Sequence, residues 1–159
     1  MYRCAMSTSL TFRTAEPADA LQIAALLQSI GWFDSYQHGS LPAHAEQLTA
    51  LLAPSEHHVQ LVAIDSQGRL CAYCAVHWLA LAVLQGWEGY VSELFVAEHA
   101  RAMGLGSQLL DHVTAIAKEK GCKRLWLINH RDRDSYQRNF YAQHGWQEQP
   151  QAARFVRML

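Results

Sequence analysis

Two glycines, Gly104 and Gly106, follow Arg101 between an apolar run at residues 91–96 and an amphipathic run at residues 104–120. The apolar run is typical of a strand and the amphipathic run of a helix. The first main-chain N–H groups of a helix have no partner inside it, and the helix dipole places partial positive charge there. Because glycine lets the main chain approach a ligand closely, this segment predicts a site for a phosphate or pyrophosphate group.

The spacing excludes two common phosphate-binding motifs. No Gly-Lys-Ser/Thr follows, as a P-loop requires, and Leu109 stands where the dinucleotide fingerprint has its third glycine. Taken alone, the two glycines are equally consistent with an ordinary strand-to-helix turn.

The segment resembles the coenzyme A pyrophosphate loop of the GNAT family, the Gcn5-related N-acetyltransferases. Residues 93–96 and 101–110 look like the central motif of that family, and residues 139–141 with 145–146 resemble its C-terminal element. The likeness covers residues 10–159. It implies a mixed α/β fold with a mostly antiparallel central sheet and helices on both faces. It also implies that the fourth and fifth strands form a parallel pair that splays apart and admits the coenzyme.

The hydrophobic periodicity of the chain predicts the same order of elements. Pro17 begins a first helix that ends at Gly31, and Ser40 with Pro42 begins a second. A crossover over residues 90–129 makes its two strands parallel. The predicted strands lie at residues 10–13, 59–64, 69–78, 90–96 and 124–129. The later helices are predicted at residues 104–120 and 134–144, the second with Asp134 as its N-cap. A final hairpin is predicted at residues 146–149 and 153–158.

Composition limits the classes of protein to consider. The chain has 159 residues, half of them hydrophobic, and a net charge of -1. These values predict one domain at residues 10–159 after a disordered segment at residues 1–9, with Met1 or Met6 as the start. No basic run favours nucleic acid, and no apolar run is long enough to cross a membrane. The first residues do not form a secretory signal, and the predicted location is the cytoplasm.

Cys71 and Cys74 form a Cys-x-x-Cys pair, but they do so inside a predicted strand. Residues three apart on a strand point to opposite faces unless a bulge intervenes, and no second Cys/His pair completes a zinc site. The nine histidines are scattered along the chain. We therefore predict no metal site and interpret the cysteines as small buried residues in a reducing compartment.

Acetyl transfer from a thioester to an amine needs several groups. The coenzyme must be held, the amine, whose pKa is about 10, must lose a proton, and the thioester oxygen must be stabilised. The departing thiolate needs a proton, and the resemblance implies that Tyr141 supplies it. Glu93, in the strand beside the cleft, is the candidate base or an anchor for the substrate ammonium. Glu88, His77 and Tyr90 remain rivals.

Coenzyme binding is assigned to the glycine loop, the strand before it and one further asparagine. The N–H groups of the loop face the pyrophosphate, and the strand bonds the pantetheine arm, as the resemblance implies. The same strand is the candidate holder of the acetyl oxygen. The predicted cofactor-binding residues are Leu94, Phe95, Val96, Arg101, Ala102, Met103, Gly104, Leu105, Gly106, Ser107 and Asn129.

Two positions depart from the pattern of the family. Ala102 stands where glycine is common, which the loop tolerates if the φ angle of Ala102 is negative. Asp134 stands where the last helix often begins with asparagine. A carboxylate near phosphates is unfavourable unless it caps the helix instead.

Trp32, Phe33 and Tyr36 are predicted to wall the acceptor pocket, and Tyr90 to stack under the substrate. The resemblance implies an enzyme that moves the acetyl group of acetyl-CoA to a primary amine of a small molecule by direct attack in a ternary complex. A protein N-terminal or lysine acetyltransferase and a non-catalytic acyl-CoA-binding module remain alternatives. The apolar residues 79–84 indicate either a homodimer contact or core.

Overall fold

A computed structural model of the protein describes residues 9–159. Within it the chain forms two compact units, one that runs to Leu127 and one at Ile128–Leu159. The predicted disordered segment lies outside the described residues except for Ser9. None of the helices in the described chain is long and apolar enough to cross a membrane.

The first unit contains five strands and three helices. Pro17 starts a short 3-10 turn that leads into α1, which ends at Gly31 with a φ of 75°. The Ser40 hydroxyl accepts a hydrogen bond from the N–H of Ala43 and caps α2, at the point where the sequence predicted the second helix to begin. The elements are β1 (Leu10–Thr14), α1 (Ala20–Ile30), α2 (Leu41–Leu51), β2 (His58–Asp65), β3 (Leu70–Leu81), β4 (Gly86–Val96), α3 (Leu105–Glu119) and β5 (Cys122–Leu127).

The five strands form one sheet in the order β1-β2-β3-β4-β5. Neighbours are antiparallel except β4 and β5, which are parallel because α3 forms the crossover between them. This arrangement confirms the predicted mixed, mostly antiparallel sheet with one parallel pair.

Helices cover both faces of the sheet. On one face, Val62 and Tyr73 pack in a buried cluster with Ile23 and Leu27 of α1. Phe12 occupies the opposite face, where its ring stacks on His112 of α3 with centroids 4.8 Å apart. We call the face that α1 covers the α1 face and the other the α3 face.

A β-bulge interrupts the ladder between β3 and β4. Ala75 pairs with Glu93 and Val76 pairs with Val91, so Ser92 is an extra residue without a partner on β3. An extra residue shifts the alternation of side chains by one position. Before Ser92 the even-numbered residue Tyr90 faces the same side as the odd-numbered residues Glu93 and Phe95 after it. The face that each residue occupies is therefore read from its partner on β3.

The second unit contains two short helices, α4 (Asp134–Gln137) and α5 (Phe140–Gln143). The predicted single helix at residues 134–144 was wrong, because Asn139 has a φ of 55° and breaks it. The N-cap of α4 is Arg133. Asp134 is the first helical residue rather than the predicted cap, and its carboxylate lies 2.9 Å from Nε of Arg138.

The predicted final hairpin was also wrong. Residues 146–159, all of them described, contain no strand. An N–H···O bond of 3.1 Å from Ala152 to Gln149 closes a turn, but the residues on either side do not pair. A two-stranded hairpin is marginal by itself in water, and Phe155 is 93% exposed, so nothing buries its apolar side chains.

Candidate active site

The glycine loop leads into α3 with an unusual main-chain path. Gly104 is the N-cap residue of α3 and has a φ of 71°. Ala102 has a φ of 63°, which contradicts the negative value expected for it. Left-handed φ angles are unfavourable for residues with a Cβ, so Ala102 adopts the conformation for which glycine is better suited. The loop is exposed over residues 101–104.

Among the described residues, no acceptor takes a hydrogen bond from the main-chain N–H groups of residues 102–107. Within residues 9–159, the first N–H after the loop that is bonded to the main chain is that of Gln108, which donates to the Gly104 carbonyl at 3.1 Å. The Ser107 hydroxyl donates to the same carbonyl at 2.9 Å. A row of N–H groups at the positive end of a 15-residue helix is a suitable site for an anion.

The edge of β4 next to this loop is open. Pairing between β4 and β5 ends with Val91 opposite Leu127, whereas β4 continues to Val96. Leu94, Phe95 and Val96 pair with β3 on their other side. No strand in the described residues pairs with residues 92–96 on the β5 side. Main-chain groups of this edge are therefore available to a ligand.

Glu93 lies on the α1 face and is half-buried. Its partner on β3 is Ala75, and its Oε2 atom lies 2.9 Å from the hydroxyl of Tyr73. That hydroxyl also lies 3.0 Å from Oε1 of Gln60, and it has one proton to donate. Burial and then the charge of Glu93 raise the pKa of Tyr73 far above its usual value, so the phenol stays protonated. Tyr73 therefore supports the Glu93 carboxylate from inside the core when its proton points to Oε2, and Gln60 is the competing acceptor.

Three of the four predicted acceptor residues lie together beside Phe95. The ring centroid of Phe95 is 5.5 Å from that of Phe33 and 6.3 Å from that of Trp32, and Phe33 is 6.5 Å from Tyr36. Burial and then the charge of Glu93 raise the pKa of Tyr36. These rings form a wall on the Glu93 side of the sheet. Phe95, predicted to act through its main chain, adds its side chain to this wall.

A second set of rings crosses the sheet in register. His58, His77, Tyr90 and Trp126 are partners on β2, β3, β4 and β5, with successive centroid distances of 6.1, 6.3 and 4.2 Å. All four side chains are half-buried. We call this set the ring row. His58 and Trp126 were not among the predicted site residues, because only the register of four strands brings them to Tyr90.

His77 connects the ring row to the bulge. Its Nε2 atom lies 3.0 Å from the hydroxyl of Ser92, which in turn lies 3.4 Å from the Ala75 carbonyl. Burial and then the charge of His58 lower the pKa of His77, against a smaller opposing effect of Glu93. His77 is therefore mainly uncharged at neutral pH.

Glu88, a predicted rival of Glu93 for the role of base, is hydrogen-bonded within the sheet. Its carboxylate is buried and accepts hydrogen bonds from Nε of Arg124 at 2.6 Å and from Nε1 of Trp126 at 3.0 Å. Both oxygens are thus occupied by β5. The side chain fastens the parallel pair below the point where it opens.

Asn129 and Tyr141 lie in the second unit. Oδ1 of Asn129 accepts a hydrogen bond of 2.9 Å from the Ser135 hydroxyl at the start of α4. Tyr141 is half-buried in α5, with its ring 5.0 Å from that of Phe140 and 6.1 Å from that of Trp146. The predicted Phe-Tyr and Gly-Trp pairs therefore form one local aromatic group.

Comparison with known proteins gives a consistent result. The model of the acetyltransferase (GNAT) family matches residues 23–146. An uncharacterized N-acetyltransferase of Bacillus subtilis (strain 168), YhfO, is 29% identical over 141 residues, which cover 87% of this chain and 91% of the relative.

Two solved structures share the fold. A ribosomal-protein-alanine N-acetyltransferase from Brucella melitensis biovar Abortus 2308 superposes with a TM-score of 0.74 at 20% identity, covering 94% of this chain and 100% of the other. An aminoglycoside acetyltransferase from an uncultured soil metagenomic sample superposes with a TM-score of 0.76 at 18% identity, covering 94% of this chain and 96% of the other.

Proposed function

Because the chain belongs to the acetyltransferase (GNAT) family and is thus an acetyl-transferring enzyme, we propose that it acetylates a primary amine of a small molecule by direct attack in a ternary complex. The observation that carries this proposal is the pairing of two open main-chain surfaces: the N–H groups of residues 102–107 and the β4 edge at residues 92–96. The first suits a diphosphate and the second an extended amide chain. Acetyl-CoA carries both and supplies the activated acetyl group.

The coenzyme contacts follow from those surfaces. Residues 102–107 hold the diphosphate with their N–H groups, and Arg101, which is exposed, adds a positive charge. Leu94 and Val96 bond the pantetheine arm through the main chain, and N–H groups at Leu94 and Phe95 hold the acetyl oxygen as it gains negative charge. Asn129 supplies a further polar contact, as the family resemblance implies.

The chemical step then needs one base and one acid. Glu93 accepts a proton from the substrate ammonium, directly or through water, and the neutral nitrogen attacks the acetyl carbon. A C–N bond forms while the C–S bond breaks, and the sulfur receives a proton from the hydroxyl of Tyr141. Support for Glu93 comes from its half-buried position on the α1 face between the aromatic wall and the ring row.

The rings around Glu93 favour an acceptor with a ring-shaped or apolar body. Trp32, Phe33 and Tyr36 bound the carboxylate on one side, and Tyr90 stacks on Trp126 on the other. Such faces suit a flat or sugar-like group and also a cation. No acidic cluster surrounds Glu93 in the first unit as described, which makes a highly charged polyamine a poorer fit than an amine with a single charge.

A thiol-release assay with acetyl-CoA and a broad panel of amines tests this function. Glu93→Gln should lower kcat/KM by about 100-fold or more, the range of general acid–base catalysis, and Tyr141→Phe should slow turnover while coenzyme affinity, measured by calorimetry, is kept. Glu46→Gln, on the exposed side of α2, is the matched control.

Three results would contradict the proposal. Binding of acetyl-CoA without thiol release from any amine would indicate a ligand-binding module. Release with peptide N-termini or lysines alone would indicate a protein acetyltransferase. Absence of any heat with the coenzyme would remove the diphosphate site itself.

A further inference from the structure

Three metal-ligating side chains converge at the end of the sheet where β2 and β3 meet the turn after β4. Asp65 is the last residue of β2, Cys71 is the second residue of β3, and His99 lies in the 3-10 turn Glu98–Ala100. One carboxylate oxygen, the Sγ atom and one imidazole nitrogen all lie within 4.8 Å of one another. The distance from Sγ of Cys71 to Nε2 of His99 is 3.7 Å.

The main chain fixes Cys71 in this position. Ala63 pairs with Ala72 and Ile64 pairs with Leu70, so Cys71 is the extra residue of a bulge between β2 and β3. Bulges redirect a side chain relative to the regular alternation of a strand. The carbonyl of Cys71 still accepts a bond of 2.8 Å from the N–H of Ala97, which holds the residue against the end of β4.

The same place in the fold holds the other two ligands. The N–H of Asp65 donates to the Arg69 carbonyl at 3.0 Å and closes the hairpin. The turn that carries His99 is closed by a bond of 2.9 Å from Ala100 to Ala97, and Ala100 is buried. His99 itself is exposed, so its ring can adjust and the site opens to solvent.

We propose that Cys71, His99 and Asp65 bind one divalent transition-metal ion of the zinc type. A thiolate, an imidazole nitrogen and a carboxylate oxygen are the three ligand types that zinc and cobalt(II) take from proteins. Three protein ligands leave a fourth position for water or another small ligand. The sequence predicted no metal site because no second Cys/His pair lies nearby in the chain, and the ligands here come from three separate elements.

The Asp65 carboxylate has room for the ion on one oxygen. Oδ1 accepts hydrogen bonds of 2.9 Å from the main-chain N–H groups of Gln67 and Arg69, which orient the carboxylate as outer-shell bonds do in metal sites. Within residues 9–159, Oδ2 accepts a hydrogen bond from Nε of Arg69 alone, at 2.8 Å. The side chain of Arg69 is 58% exposed and can turn into water when the ion binds.

Binding therefore exchanges partners at two ligands. The ion takes the place of the thiol proton of Cys71, which is released to solution, and it takes the place of the Arg69 guanidinium at Oδ2. No oxidation or reduction is involved. Arg69 competes with the ion, and its removal should favour the bound state.

Cobalt(II) titration of the full chain under reducing conditions tests the site. We expect one cobalt per chain, a thiolate-to-cobalt charge-transfer band in the near ultraviolet, and loss of that band when zinc is added. Cys71→Ser should abolish the band, His99→Ala should weaken cobalt binding, and Arg69→Ala should strengthen it. Cys122→Ser, which removes a half-buried free thiol elsewhere, is the matched control and should keep the band.

Circular dichroism of each variant checks that the chain is folded. His99→Ala and Arg69→Ala change exposed side chains, so they remain informative if Cys71→Ser does not fold. The proposal is overturned if wild-type protein gives no band, or if Cys122→Ser loses it. It is also overturned if His99→Ala binds cobalt as tightly as the wild type.

Discussion

Replacement of Ala102 by glycine should stabilise the protein. Ala102 has a φ of 63° in an exposed loop. A residue with a Cβ is less stable in the left-handed region by about 1 to 2 kcal/mol, because Cβ approaches the following carbonyl oxygen. Glycine removes that contact.

The gain is reduced by the unfolded state. Glycine has more freedom in the unfolded chain than alanine, which costs about 0.5 to 1 kcal/mol on folding. The difference leaves a net stabilisation of about 0.5 to 1 kcal/mol for Ala102→Gly. In a protein of this size, 1 kcal/mol corresponds to about 2 to 4 °C in Tm, so the expected rise is about 1 to 4 °C.

Urea unfolding followed by circular dichroism, together with thermal unfolding, measures the change. The matched control is Ala50→Gly on the exposed side of α2, where φ is helical. The free energy of unfolding of Ala50→Gly should fall by about 0.5 to 1 kcal/mol. The two alanine-to-glycine changes should therefore have opposite signs.

Equal destabilisation by both variants would refute the reasoning. It would mean that the glycine loop does not hold Ala102 in the left-handed region in solution. The proposed diphosphate site would then lose its preformed path into α3.

Three further predictions concern the residues around the site. A Cβ at Gly89 would lie 2.5 Å from Cδ2 of Leu125, so Gly89→Ala should destabilise the protein by about 1 to 3 kcal/mol in urea unfolding. Gly86→Ala should have little effect, because the nearest atom to its Cβ, at 3.2 Å, belongs to the flexible Lys123 side chain and the Leu84 carbonyl oxygen is at an ordinary contact distance of 3.8 Å. Tyr73→Phe removes the hydroxyl 2.9 Å from Glu93 Oε2, and should lower stability by about 1 kcal/mol and reduce kcat without changing coenzyme affinity; an unchanged kcat would argue against support of Glu93 by Tyr73. The pKa of His77 is lowered below its ordinary 6.5, so the unfolded chain binds the proton more readily than the folded chain, and the stability that neutral His77 contributes is lost as pH falls below that value. The free energy of unfolding of His77→Gln should therefore fall less steeply than that of the wild type between about pH 7.5 and 5.5. Equal slopes for the two proteins would contradict this assignment.

Local signals predicted much of the fold. Gly31 and Ser40 end and begin helices where their cap chemistry requires it, and the crossover through α3 gave the parallel pair. The glycine loop was identified from two glycines and the helix after them. Each of these features depends on residues that are close together in the chain.

Features that depend on long-range register were not predictable in this way. The bulges at Ser92 and Cys71 arise from how three strands pair, and a period of two along one strand carries no trace of them. The ring row needs the register of four strands before His58 and Trp126 come to the same line as Tyr90. Asn139 interrupts the predicted last helix because its main chain is left-handed, a conformation that asparagine adopts more readily than most residues.

The extra residue at Ser92 determines which side chains of β4 point to the α1 face. Tyr90 and Glu93 are three residues apart, and they face the same side as Phe95 because the bulge takes up one residue between them. Deletion of Ser92 would restore a regular ladder in which Glu93 and Tyr90 still lie opposite Ala75 and His77 and keep their common face. A relative that is one residue shorter in this stretch can therefore keep its carboxylate towards the aromatic wall, and a single-position gap there does not imply that the carboxylate is lost.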